Sequence, residues 1–197
     1  MSAYGRCTTL GVLFAATLGA CDDSTTAPAE PLNMDETEAL YLGIQALVAD
    51  TTASFVAVTP DGGVVACPLG GQVTVAVDFR EEQAADTARL ITNVTLDPAG
   101  CMLSSEEYEF TLDGNPNVHT VIATGIVGST FEFHIEGSIT GGVDWQLDDR
   151  SGTCMIDLIL SAEIDTTGTD PTPRATFSGT MCGLEVEFEA AVVQVPG

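Results

Sequence analysis

The side chains with chemistry to offer are six cysteines, two histidines and 29 acidic residues. Cys67, Cys101, Cys154 and Cys182 fall in the body of the chain. Zinc sites bring their ligands in close pairs, and no Cys-x-x-Cys occurs here, so a metal–thiolate centre is not expected. Oxidation to two disulfides is expected instead. Four cysteines allow three pairings, and hairpin geometry selects one. Residues that face each other across a hairpin lie equally far from the centre of its turn. The midpoint of Cys67 and Cys101 is residue 84, close to the centre of the polar stretch Arg80–Thr87, REEQAADT. The midpoint of Cys154 and Cys182 is residue 168, close to the centre of Asp165–Arg174, DTTGTDPTPR. The spacing therefore predicts Cys67–Cys101 and Cys154–Cys182.

Other chemistries find little to build on. The chain has no lysine, which excludes Schiff-base catalysis, Ser-Lys dyads and a P-loop lysine. It has no Gly-x-Ser-x-Gly nucleophile elbow. His134 falls between Phe133 and Ile135, on the Glu132/Glu136 face expected to be wet. His119 follows Asn115-Pro116-Asn117 and reads as the start of a strand. Neither is expected to be a catalytic base. A hydrolase working through carboxylates needs one acid raised by burial in a cleft. Glu185, Glu187 and Glu189 instead alternate with apolar residues, as a solvated face does, so an acidic hydrolase is the weakest reading. Asp148-Asp149 and Asp165/Asp170 offer oxygen ligands without the EF-hand spacing. No metal and no cofactor are expected. The 29 acidic residues face 5 basic ones, a net charge of −24, so no basic surface exists to neutralise phosphates and no nucleic-acid partner is expected. The acidity serves solubility and self-repulsion. Trp145, the single tryptophan, shares a face with Val143 and Leu147 and belongs either to a core or to the lining of an apolar cavity.

The first residues carry an address. Arg6 precedes an uncharged apolar stretch, residues 7–20. It is shorter than the roughly 20 residues of a spanning helix. It has the size of a secretory signal core and ends in small residues, Gly19 and Ala20. Leu18-Gly19-Ala20-Cys21 resembles the lipobox of bacterial lipoproteins. The resemblance implies that residues 1–20 are a lipoprotein signal peptide. It also implies that the Cys21 thiol receives a diacylglyceryl group and that Cys21 becomes the acylated N-terminus. The competing reading is an ordinary secretory signal cut after Ala20. Residues 21–33 are rich in Ser, Thr, Ala and Pro without apolar periodicity, which suits a solvated tether. Acyl chains contribute about 0.8 kcal/mol per buried methylene, so the membrane is the expected partner at this end. The expected location is the bacterial cell envelope, facing the periplasm or the cell exterior.

Such an address requires a body that folds in the oxidising space, and residues 34–197 read as one β-rich domain. Asp35 with Glu38 fits a capping box, and Leu40, Ile44, Leu47 and Val48 then share one helical face, with an end near Asp50. Beyond that the apolar period becomes two. Val73, Val75, Val77 and Phe79 form one such set, and Leu90, Val94 and Leu96 another with Thr92. Tyr108/Phe110/Leu112, Phe131/Phe133/Ile135, Val143/Trp145/Leu147, Cys154 to Ile164 and Leu184/Val186/Phe188 continue the pattern. Asp61-Gly62-Gly63, Pro98-Ala99-Gly100, Gly114 to Asn117, Gly141-Gly142 and Asp148 to Gly152 read as turns. About ten strands are predicted, in an antiparallel up-and-down meander forming a curled sheet, barrel or sandwich with one N-terminal helix. A non-catalytic role follows, with an apolar small-molecule ligand held in the curl. The alternative is an envelope scaffold or adhesion protein with a filled core.

Overall fold

The computed structural model describes residues 30–56, 63–84, 86–127, 132–165 and 172–189. A helix, α1 (Met34–Val56), precedes eight strands. These are β1 (Gly63–Ala66), β2 (Gly70–Ala84), β3 (Thr87–Ser105), β4 (Tyr108–Val127), β5 (Glu132–Leu147), β6 (Arg150–Asp165), β7 (Thr172–Met181) and β8 (Leu184–Glu189). Each strand pairs antiparallel with the next, in the order β1 to β8. The result is a meander in one curled, unclosed sheet, with the helix against it.

Eight strands replace the ten expected because three of the turn signals lie within strands, two of them at bulges. Pro98-Ala99-Gly100 lies inside β3, Gly114 to Asn117 inside β4, and Gly141-Gly142 inside β5. The β3–β4 register slips between Leu96 and Cys101, and the β4–β5 register slips between Gly114 and Val118. Gly141 stands opposite at φ 117°, where any Cβ would strike the carbonyl oxygen of Asn117. Bulges at neighbouring positions in β3 and β4, beside the positive-φ Gly141 of β5, are the kind of irregularity by which a long sheet acquires curvature. The polar stretch after Phe79 is also strand. Arg80 to Ala84 pair with Ile91 to Thr87, and the chain reverses only between Ala84 and Thr87.

The helix starts two residues earlier than the Asp35 cap implies. Asn33 is the cap: its Oδ1 accepts from the Glu36 N–H at 3.0 Å, and Glu36 Oε2 accepts from the Asn33 N–H at 2.9 Å. This reciprocal pair is a capping box, with the expected spacing but different residues. The helix continues to Val56, past the end expected near Asp50. Leu40, Tyr41, Ile44 and Leu47 are buried against the sheet. Tyr41 stacks on Phe188 with centroids 4.4 Å apart and meets Phe177 edge-on. Gly43 lets the helix approach β3, where a Cβ would come within 2.6 Å of Leu103 Cδ1. Arg150, first residue of β6, forms an ion pair with Glu36 and ties the helix start to the sheet.

The two disulfides pair as the sequence predicts, Cys67–Cys101 and Cys154–Cys182. Their setting differs from two facing positions of one ladder. Cys67 follows β1 in the β1–β2 turn and Cys182 sits in the β7–β8 turn at φ 53°. Each bridge therefore fastens the turn of a terminal hairpin onto a long inner strand, β3 or β6. Both lie at the end of the sheet that carries the β3–β4 and β5–β6 turns, called the bridged end below.

Candidate functional site

The registers fix which residues share the inner face. Val75, Leu96 and Val118 stand in line across β2, β3 and β4, and Leu112, Trp145 and Gly152 do so across β4, β5 and β6. Toward the bridged end this face is a filled core. Leu103, Phe110, Leu112, Val143, Trp145 and Cys154 are buried there with the helix residues. Trp145 is a core residue, packed so closely on Gly152 that a Cβ there would lie 2.9 Å from the ring.

Toward the far end the same face continues but its cover thins. One row runs Phe79, Thr92, Ile122, Gly137 and Leu160; the next runs Glu81, Leu90, Thr124 and Ile135. Phe79 is 48% exposed and Leu90 41%, while Ile122 and Ile135 are half-buried. Exposed large apolar groups on the core-facing side of a sheet are the informative kind of exposure. From β2 to β5 this trough spans roughly 14 Å at the usual strand spacing. A cleft of about 310 Å³ opens at its β2–β3–β4 corner, lined by Glu81, Gln83, Ala88, Leu90 and Thr124, with Glu82 and Arg89 completing the wall.

The charges on this face are few. Among the described residues of the eight strands, Glu81 and Arg150 are the charged positions whose register places them inside. Arg150 is matched by Glu36 of the helix. Among the described residues the Glu81 side chain has no ion-pair or hydrogen-bond partner. Sequence reasoning missed Glu81 because it took Arg80–Thr87 for a connection. Carrying the two-residue period one step past Phe79 would have found it.

Polar chemistry elsewhere is structural in character. Burial would raise the Glu36 carboxyl. The Arg150 guanidinium hydrogen bond, the Asn33 N–H and the Arg150 charge outweigh that and hold it below the usual range. On the outer face, Thr153 Oγ1 donates to Asp144 Oδ1 at 2.6 Å and Asn115 Nδ2 at 2.8 Å, which holds Asp144 low as well. A general acid needs the opposite shift. Burial pushes the Tyr41 hydroxyl up to about 12. Among the described residues, the hydroxyls of Tyr41 and Thr37 in α1 and of Thr120 in β4 are buried without a hydrogen-bond partner. Each costs about 1–3 kcal/mol, offset by the apolar surface around it.

The remaining candidates from the sequence scatter. His134 is exposed, and His119 lies within β4 rather than at a strand start, its Nδ1 3.0 Å from Thr95 Oγ1. Glu185, Glu187 and Glu189 are exposed along β8. Asp148 and Asp149 form the β5–β6 turn, and Asp170 lies outside the described residues. Among the described residues no three His, Cys, Asp or Glu side chains converge as metal ligands do. Arg80, Arg89 and Arg150 are each engaged with a glutamate. The signal peptide and residues 21–29 of the tether, Cys21 included, lie outside the described residues, while Leu32 is buried and Asn33 caps the helix, so the folded body begins before residue 34. Among the described residues no helix is long and apolar enough to cross a membrane. Comparison with protein-family models, with curated proteins and with solved structures finds no match.

Proposed function

We propose that this chain is a lipid-anchored envelope protein that holds the apolar tail of a small amphiphile in the far half of its curled sheet. The observation that carries this reading is the inner trough, where Phe79 and Leu90 stand 48% and 41% exposed on the face that is buried core elsewhere. Ligand sites are concave, mostly apolar and furnished with a few polar groups, and the trough has that character. Lipidation at Cys21 and a non-catalytic role belong to the same proposal. The filled half beside the bridges favours a second reading, an envelope scaffold acting through its surface.

An apolar fluorescent dye separates the two. Binding to the wild-type chain is expected, with at least a tenfold loss of affinity in Phe79→Asp and in Leu90→Asp. Both side chains are substantially exposed, so unfolding free energy is expected to change by less than about 1 kcal/mol. Ile159→Asp, 64% exposed on the outer face, is the control and is expected to bind like wild type. Dye binding unchanged in both trough variants, or absent from the wild-type chain, would leave the scaffold reading.

A further inference from the structure

We propose that the ligand carries a positive charge, a quaternary or primary ammonium beside its apolar tail, and that Glu81 is its counter-ion. The inference rests on the trough reading above and adds the chemistry of its polar end.

The inner face excludes charge almost completely. Apart from Glu81 and Arg150, its registers place apolar residues, Gly and a few uncharged polar ones such as Thr92, Thr120, Thr124 and Gln83 at the described positions, and the other acidic residues of the strands fall on the alternating outer positions. An acidic residue placed against that pattern costs desolvation whenever the trough is occupied, unless its charge is matched. The other inner-face charge, Arg150, is matched within the chain by Glu36. Among the described residues, none pairs with the Glu81 carboxylate. It stands opposite Leu90 in the ladder, one inner-face step beyond Phe79, and lines the cleft at the corner of the trough. A tail lying along Phe79, Leu90 and Ile122 would bring its polar end to this carboxylate. An anionic head would meet Glu81 and Glu82 together, with the nearby Arg89 engaged by Glu136 and Arg80 by Glu82. A tenfold preference corresponds to about 1.4 kcal/mol, within what two opposite unit charges in contact near a protein surface supply.

A rival role for Glu81 exists. Among the described residues β1 pairs only with Gln72 to Val75, and an inward charge on a strand edge discourages pairing with another molecule.

The test titrates the full chain with dodecyltrimethylammonium and, separately, with dodecyl maltoside, each below its micelle threshold. The chain is wild type, Glu81→Gln or Glu82→Gln. The wild type is expected to bind the cationic probe about tenfold more tightly than the neutral one. Glu81→Gln is expected to abolish that preference while leaving the neutral probe's affinity within twofold, and Glu82→Gln to keep the preference. A preference that survives in Glu81→Gln overturns the proposal and assigns the attraction to the overall charge. Self-association of Glu81→Gln with the preference intact assigns Glu81 to guarding the edge, which also overturns it. If the neutral probe binds and the wild type shows no preference, the counter-ion alone fails. If neither probe binds the wild type, the trough reading fails with it.

Discussion

Replacing Cys154 and Cys182 with serine is expected to lower the unfolding free energy by about 3–4 kcal/mol, and replacing all four bridge cysteines by roughly twice that. The bridges span 28 and 34 residues in sequence, and cross-links of that length remove much of the freedom of the unfolded chain. Domains of ordinary stability have about 5–15 kcal/mol in total, so the fully reduced chain is expected to sit near its unfolding threshold. Position adds to the effect. β1 has four residues and β8 six, too few for their ladders to hold the edges firmly. Each bridge fastens the turn beside one of these strands to a long strand further in. Urea titrations of the oxidised and reduced chain, followed by circular dichroism, measure the loss. Hydrogen exchange is expected to show β8 amides opening first in the Cys154→Ser/Cys182→Ser variant. Equal urea midpoints with and without reductant would contradict the structural role of the bridges.

Arg150→Met is expected to cost about 2–3 kcal/mol at neutral pH. The Glu36 side chain is 8% exposed and that of Arg150 25%. Stranding one member of a fully buried pair costs about 3–5 kcal/mol, and the partial exposure of Arg150 reduces that figure. Glu36 also completes the helix cap, so the loss falls where the helix meets the sheet. The pH dependence gives a sharper signature. In the wild type the Glu36 carboxyl is held below its ordinary value of 4.5, so the folded state favours the ionised form. Its contribution is fully present above that value and is lost as pH falls through the folded-state pKa. In Arg150→Met burial acts with only the Asn33 N–H against it, and the carboxyl is expected to rise. The variant is then expected to be destabilised least in mild acid and more as pH rises through the new pKa. Glu36→Gln/Arg150→Met leaves no stranded charge and is expected to recover part of the loss, giving a measurable coupling energy. A variant as stable as wild type at pH 7 would show the pair to be energetically idle.

The alternation of apolar and polar residues made the strands and their buried sets legible from Val73 to Phe188. Strand count was less legible for a physical reason. Glycine and proline report that the backbone leaves the regular ladder, not whether the chain then reverses. At Pro98-Ala99-Gly100 and Gly114 to Asn117 the residues beyond resume pairing with the same neighbours, so the signal marks a bulge. The same ambiguity, read the other way, hid Glu81. Arg80 to Gln83 looked like a connection because they are polar, yet on a sheet's outer and end positions polarity is compatible with strand. The cap was misplaced because both Asn33/Glu36 and Asp35/Glu38 have capping-box spacing, and only the contact of Glu36 with Arg150, 114 residues away, decides between them. The exposure of Phe79 and Leu90 was not readable at all. Their alternation matches that of Val75 and Leu96, which are 1% exposed, and what distinguishes them is tertiary cover, which no local pattern encodes.

The most direct test is the intact mass of the chain recovered from the envelope of a bacterium expressing it, recorded once under native and once under denaturing conditions. The denatured mass is expected to equal residues 21–197 plus acyl groups on Cys21, less the hydrogens lost in two disulfides. The native mass is expected to exceed it by one small amphiphile. An unacylated denatured mass matched by an identical native mass would contradict the anchor and the ligand together.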